Sequence, residues 1–67
     1  MRELKFARMR KNISQKQLAD AVGVTVNTIS RIETGINQPS WLLANKIATY
    51  LDCSLDDLVN GKKEDQQ

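Results

Sequence analysis

Ser14-Gln15-Lys16-Gln17-Leu18-Ala19-Asp20-Ala21-Val22-Gly23-Val24-Thr25-Val26-Asn27-Thr28-Ile29-Ser30-Arg31-Ile32-Glu33-Thr34-Gly35 is the stretch whose reading decides the fold. Ser14 stands three residues ahead of Gln17, the spacing at which a serine hydroxyl and a glutamine side chain cap each other's backbone amides at a helix start. Leu18, Ala19 and Val22 then recur at helical spacing and form one apolar face. Gly23 ends that helix, because glycine takes the left-handed backbone conformation without a steric cost. Thr25 caps a second helix, with Ile29 and Ile32 facing inward. Only Gly23-Val24-Thr25 lies between the two. A link of about 3–4 residues containing glycine makes the second helix cross the first at a steep angle. Ala19 lies where that crossing must be closest, and Val24 plugs the turn.

The same punctuation extends in both directions. Ser40, just after Pro39, and Ser54, which opens a second box-like run to Asp57, each precede an apolar helical pattern. Gly35 and Gly61 fall where helices would stop. Pro39 is the only proline and cannot lie inside a helix. These marks predict helices over about 2–11, 15–22, 26–34, 41–51 and 55–60, with ends good to about 2–4 residues. No run alternates polar and apolar residues between turn signals, so no strand competes. The expected fold is all-α: a five-helix domain over 1–61 and a polar tail, Lys-Lys-Glu-Asp-Gln-Gln, over 62–67.

At 67 residues the chain holds one small core. It is 40% hydrophobic and 27% charged, the balance of an ordinary folded domain. Domains this small often need a staple. With one cysteine, Cys53, and no histidine, neither an internal disulfide nor a Cys/His zinc site can be built, and no cofactor is indicated. Helix packing and self-association remain. The longest apolar run, Trp41-Leu42-Leu43-Ala44, is far short of the roughly 20 residues that span a bilayer. No secretory leader is visible, and a cytoplasmic protein is expected. The net charge is only +2, but residues 1–33 carry seven cations against three anions and residues 34–67 carry three against five. That asymmetry points to a polyanion on one side of the molecule; an ordinary solvated surface is the plain alternative.

Ser14-Gln15-Lys16-Gln17-Leu18-Ala19, Gly23-Val24, Ile29-Ser30-Arg31-Ile32-Glu33-Thr34-Gly35, Pro39-Ser40, Ile47-Ala48, Leu51 and Leu55-Asp56-Asp57-Leu58 together resemble the Cro/C1-type helix-turn-helix family of phage repressors and their bacterial relatives. The resemblance covers about residues 4–60. It implies a domain that binds double-stranded DNA, usually as a dimer on a two-fold symmetric operator. It further implies that Gln15 contacts the DNA backbone and that Arg8 of the first helix pairs with Glu33 at the end of the third. The third helix begins Val26-Asn27 and lacks the paired glutamines of some phage repressors, so their operator preferences do not carry over.

The third helix supplies the candidate reading surface independently. With Ile29 and Ile32 inward, Val26, Asn27, Thr28, Ser30 and Arg31 point wholly or partly outward. A recognition helix reads the major groove mainly with its N-terminal residues. Asn27 can pair with both adenine edge groups, Arg31 can fork onto guanine, and Val26 can touch a thymine methyl. Thr28 and Ser30 can reach bases or phosphates. Helix N-termini favour anions, which makes Gln15, Lys16, Thr25, Asn37, Gln38, Ser40 and Arg10 candidate phosphate contacts. Each of these also has a plain reading as a cap or a surface residue.

Leu4, Ala7, Trp41, Ala44, Ile47, Ala48, Leu51, Cys53, Leu55 and Leu58 fit the core. Cys53 reads as a small apolar filler, since nothing nearby supplies a base. Tyr50, Leu55, Leu58 and Val59, near the acidic end, form the candidate homodimer surface. The expected function is a sequence-specific transcriptional regulator, a repressor, acting as a homodimer. The alternative is an adaptor or antitoxin-like module whose main partner is another protein. An enzyme is disfavoured: no nucleophile stands beside a base, and Asp56-Asp57 is explained by the preference of helix starts for negative charge.

Overall fold

The computed structural model describes residues 1–60. Gly61 and the expected tail over 62–67 lie outside the described residues. Five helices follow in order: α1 (Glu3–Arg10), α2 (Gln15–Val22), α3 (Val26–Thr34), α4 (Trp41–Tyr50) and α5 (Leu55–Asn60). None of the described residues forms a strand.

The predicted caps are present as hydrogen bonds. The Gln17 amide donates to Ser14 Oγ at 3.0 Å, and the Ser14 amide donates to Gln17 Oε1 at 2.8 Å, closing the capping box. Thr25 accepts from the Thr28 amide at 3.1 Å, Ser40 from Leu43 at 3.2 Å, and Ser54 from Asp57 at 3.1 Å. Gly23 ends α2 in the left-handed conformation, φ 82°. The Gly23 and Val24 amides both donate to the Ala19 carbonyl, at 2.9 and 3.0 Å. A Cβ on Gly23 would meet no atom within 4 Å, so its backbone angle alone makes glycine the fitting residue.

Three helix ends, both of α1 and the last of α4, fall one residue inside the expected spans, within the stated tolerance of about 2–4 residues. α1 stops at Arg10 and α4 at Tyr50, each shorter than the predicted 2–11 and 41–51. Asn12 (φ 57°) and Asp52 (φ 55°) turn the chain left-handed there. Behind Asn12, the Ile13 amide reaches the Arg8 carbonyl at 3.2 Å and the Asn12 amide reaches Met9 at 3.0 Å. Behind Asp52, the Cys53 amide reaches Ala48 and the Asp52 amide reaches Thr49, both at 3.1 Å. This paired pattern satisfies the last free carbonyls of a helix, and residues with short polar side chains tolerate the position best after glycine.

The core is built from every helix. Leu4, Leu18, Ile29, Ile32, Ile47, Leu51 and Leu58 are fully buried, with Ala7, Ala19, Val22, Ala44 and Ala48 closing the gaps. Ala19 is 0% exposed and its small side chain sits within the closely packed α2–α3 unit. Val24, Cys53 and Leu55 pack at the core's edge, half-buried. Trp41 corrects the expected core: it is 73% exposed. It is the first residue of α4, at the margin of the stripe formed by Ala44, Ile47, Ala48 and Leu51, and it lines a surface hollow with Pro39, Leu55 and Val59.

Candidate nucleic-acid interface

The position of α3 is fixed by apolar packing on one side and a polar network at its end. Ile29 and Ile32 are buried against the core, and Glu33 is the only buried charged residue among the described residues, at 8% exposure. Its carboxylate is not stranded. Arg8 Nε donates to Glu33 Oε2 at 2.7 Å, and Nη2 lies 3.5 Å from Oε1. Arg8 Nη1 donates to the Ile13 carbonyl at 2.7 Å. Gln15 Nε2 donates to Glu33 Oε1 at 3.0 Å. The network therefore ties α1, the turn before α2, the first residue of α2 and the last turn of α3 into one unit. The side chains of the Arg8–Glu33 pair are only 11% and 4% exposed, a geometry in which both charges need each other.

With that side of α3 committed, the opposite side faces solvent. Asn27 and Arg31 are exposed one helical turn apart, and Val26 is 39% exposed at the start of the helix. Thr28 and Ser30 are half-buried on the flanks. The Thr28 hydroxyl shares a 2.9 Å hydrogen bond with the Thr25 hydroxyl, which holds it close to the cap. Thr34, exposed one turn beyond Arg31 and not among the expected base contacts, completes the outward strip. Its hydroxyl donates back to the Ser30 and Arg31 carbonyls, at 3.1 and 3.2 Å.

The candidate phosphate contacts fall into two groups. Arg10, Asn37 and Gln38 are exposed, while Lys16 Nζ pairs with Asp20 at 3.0 Å across one turn of α2. Thr25 and Ser40 use their oxygens as acceptors for the helix caps; the Ser40 hydroxyl hydrogen is left as a donor, while the Thr25 hydroxyl also shares its hydrogen bond with Thr28. Gln15 is half-buried and engaged with Glu33, a contact no local sequence pattern announces, since the two stand 18 positions apart.

On the dimer candidates the structure divides the set. Tyr50 and Val59 are 44% and 58% exposed, and Leu55 is half-buried. Leu58 is 0% exposed and belongs to the core, so it is corrected out of the surface: its place on the inner side of α5 spends the whole side chain on the monomer. Ile36, exposed at 69% in the loop after α3, is an apolar surface residue that the sequence reading did not single out. Among the described residues no group of His, Cys, Asp and Glu is arranged to hold a metal ion, and no helix is long and apolar enough to cross a membrane.

Two helices joined by a left-handed glycine turn, the second presenting a polar face away from a shared core, define a helix-turn-helix domain. The chain belongs to the Cro/C1-type helix-turn-helix family, whose description matches residues 4–58. That family is one of DNA-binding transcriptional regulators and is not an enzyme family.

Over 56 residues the chain is 39% identical to an uncharacterized HTH-type transcriptional regulator of Methanocaldococcus jannaschii, covering 84% of this chain and 85% of that protein. Over 62 residues it is 38% identical to one of Archaeoglobus fulgidus, covering 92% and 87%. A Bacillus subtilis regulator, YqaE, is 32% identical over 94% of this chain, which spans 54% of that longer protein. Among solved structures, the P22 c2 repressor protein in complex with a synthetic operator superposes with a TM-score of 0.82 at 29% identity, covering 88% of this chain and 89% of the repressor chain.

Proposed function

We propose that this protein is a transcriptional repressor that binds a two-fold symmetric DNA operator as a homodimer, with α3 in the major groove. The observation that carries the reading is the outward strip of α3, Asn27 and Arg31 foremost, on a helix held from behind by the buried Arg8–Glu33–Gln15 network. Asn27 pairs with an adenine edge and Arg31 with a guanine, while Val26 packs on a thymine methyl. Thr28 and Ser30 make flanking contacts. Arg10, Gln15, Lys16, Thr25, Asn37, Gln38 and Ser40 hold phosphates and set the register without reading sequence. The likeness to a repressor bound to its operator supports this docking.

Dimerisation rests on Tyr50, Leu55 and Val59, which leave α3 free. A single small domain covers few base pairs, and a two-fold repeat of one surface doubles the site. The test is titration of genomic duplex fragments at several salt concentrations, read by gel shift, with sedimentation of the protein with and without the bound fragment. Binding that weakens steeply with salt, at two subunits per site, is expected. No shifted fragment at low salt would leave the protein-binding alternative in its place.

A further inference from the structure

The side-chain amide of Gln15 has one acceptor and two donor hydrogens, and two ways round. The neighbouring Glu33 carboxylate chooses between them. In one orientation Nε2 donates to Glu33 Oε1, as observed at 3.0 Å. In the other, the amide oxygen would lie against a carboxylate oxygen, with two acceptors facing each other and no hydrogen between them. The carboxylate cannot turn aside, because its other oxygen receives Arg8 Nε at 2.7 Å and its side chain is only 4% exposed. Gln15 itself is half-buried and is the first residue of α2, the helix end at which an anion is favoured.

We infer that Glu33 is a positioning residue for DNA-backbone binding: it locks the Gln15 amide with its nitrogen turned inward, so that one hydrogen is spent on Glu33 and the second is held ready for a phosphate oxygen. This rests on the reading of Gln15 as a phosphate contact and extends it to the residue that prepares the contact. A free glutamine divides its time between presenting its donors and its acceptor; a locked one pays no ordering cost at the moment of binding. The same carboxylate fixes the last turn of α3, so the backbone anchor and the base-reading helix are set by one group.

The experiment is a double-variant cycle of binding to a duplex recovered by selection from a random pool, and to a random duplex of equal length. The variants are Gln15→Ala, Glu33→Asp and both together, each checked for folding by its thermal melt. Glu33→Asp keeps a carboxylate in the site and draws it back by one methylene from Gln15 and Arg8, so only the difference between the two Gln15 backgrounds reports the lock. Gln15→Ala is expected to weaken both duplexes about tenfold, the scale of one hydrogen bond to a charged group. Glu33→Asp is expected to weaken binding severalfold in the wild-type background and to have little further effect once Gln15 is alanine.

Equal losses in both backgrounds would show that Glu33 acts only through the scaffold and would overturn the inference alone. Wild-type binding by Gln15→Ala would overturn the phosphate contact and the inference with it. Should Glu33→Asp not fold, the wild-type side-chain amide decides by NMR. One amide hydrogen displaced from its free-glutamine shift by Glu33 and protected from solvent exchange, with the second moving on adding the selected duplex, supports the lock. Two hydrogens at free-glutamine shifts with no protection, or no response to DNA, refute it.

Discussion

Replacing Glu33 with alanine removes the acceptor for Arg8 Nε and for Gln15 Nε2 together. Arg8 is left with a single partner, the Ile13 carbonyl, while its side chain remains 11% exposed. An exposed ion pair contributes about 0–1 kcal/mol. Breaking a buried one costs about 3–5 kcal/mol, because the surviving charge has lost its counter-charge and cannot regain water. The Arg8–Glu33 pair lies at the buried end of that range of exposures, so a loss of about 3 kcal/mol is expected. A chain of this length has a total stability of roughly 3–10 kcal/mol, which puts the variant near the edge of folding if wild type lies at the low end.

The assay is urea and thermal unfolding followed by helix circular dichroism. With about 4–8 °C per kcal/mol for so small a domain, the melting temperature should fall by roughly 12–24 °C. The double replacement Arg8→Met with Glu33→Leu should recover most of the loss, since it removes both charges and fills the space with apolar groups. A melting temperature within about 4 °C of wild type for Glu33→Ala, about 1 kcal/mol or less, would mean that the pair is solvated and does not hold α3. Failure of the double replacement to recover would show that the loss comes from the hydrogen bonds to Ile13 and Gln15 and not from a stranded charge.

Arg31→Ala and Asn27→Ala should each weaken binding to a selected site by about 1–3 kcal/mol and relax preference at one base position per half-site, measured by competition among singly substituted duplexes. Ala19→Leu should overpack the α2–α3 unit and lower stability by about 1–3 kcal/mol in urea titration. Asn12→Ala and Asp52→Ala should each cost about 1 kcal/mol from the left-handed backbone, while the glycine variants should melt at or above wild type. Burial pushes the Cys53 thiol up from its ordinary value, with Asp57 acting in the same direction against Arg10 and Lys11. Less thiolate is present at a given pH, so iodoacetamide should label the folded protein more slowly at pH 8 than the urea-unfolded chain, with the difference narrowing as pH rises. Val59→Asp should weaken self-association in sedimentation without shifting the melt of the monomer, because Val59 is 58% exposed.

Elements whose signals are local were legible before the structure. Ser14, Thr25, Ser40 and Ser54 announce helix starts because a cap needs only a hydroxyl and an amide three residues on. Gly23 and Gly35 announce stops because their backbone angles exclude most other residues. Asn12 and Asp52 make the same kind of stop without glycine, so the pattern carries α1 and α4 one residue past their last turns, within the expected error. Trp41 reads as core by its apolar character, yet it opens α4 at the margin of the buried stripe, and the residue is 73% exposed. The outward strip of α3 followed from the inward pair Ile29 and Ile32. The Gln15–Glu33 bond did not, because a contact across 18 positions depends on how the helices cross and leaves no periodic trace.

Selection of bound sites from random duplex DNA, with wild-type protein and the Arg31→Ala variant in parallel, tests the central claim most directly. The wild type should enrich a motif with two inverted half-sites whose centres lie about 10–10.5 base pairs apart, so that both copies of α3 enter the major groove on one side of the duplex. The variant should enrich the same motif with one position per half-site relaxed. Enrichment of no motif by the wild type, or of an identical motif by the variant, would contradict the assignment of α3 as the reading helix.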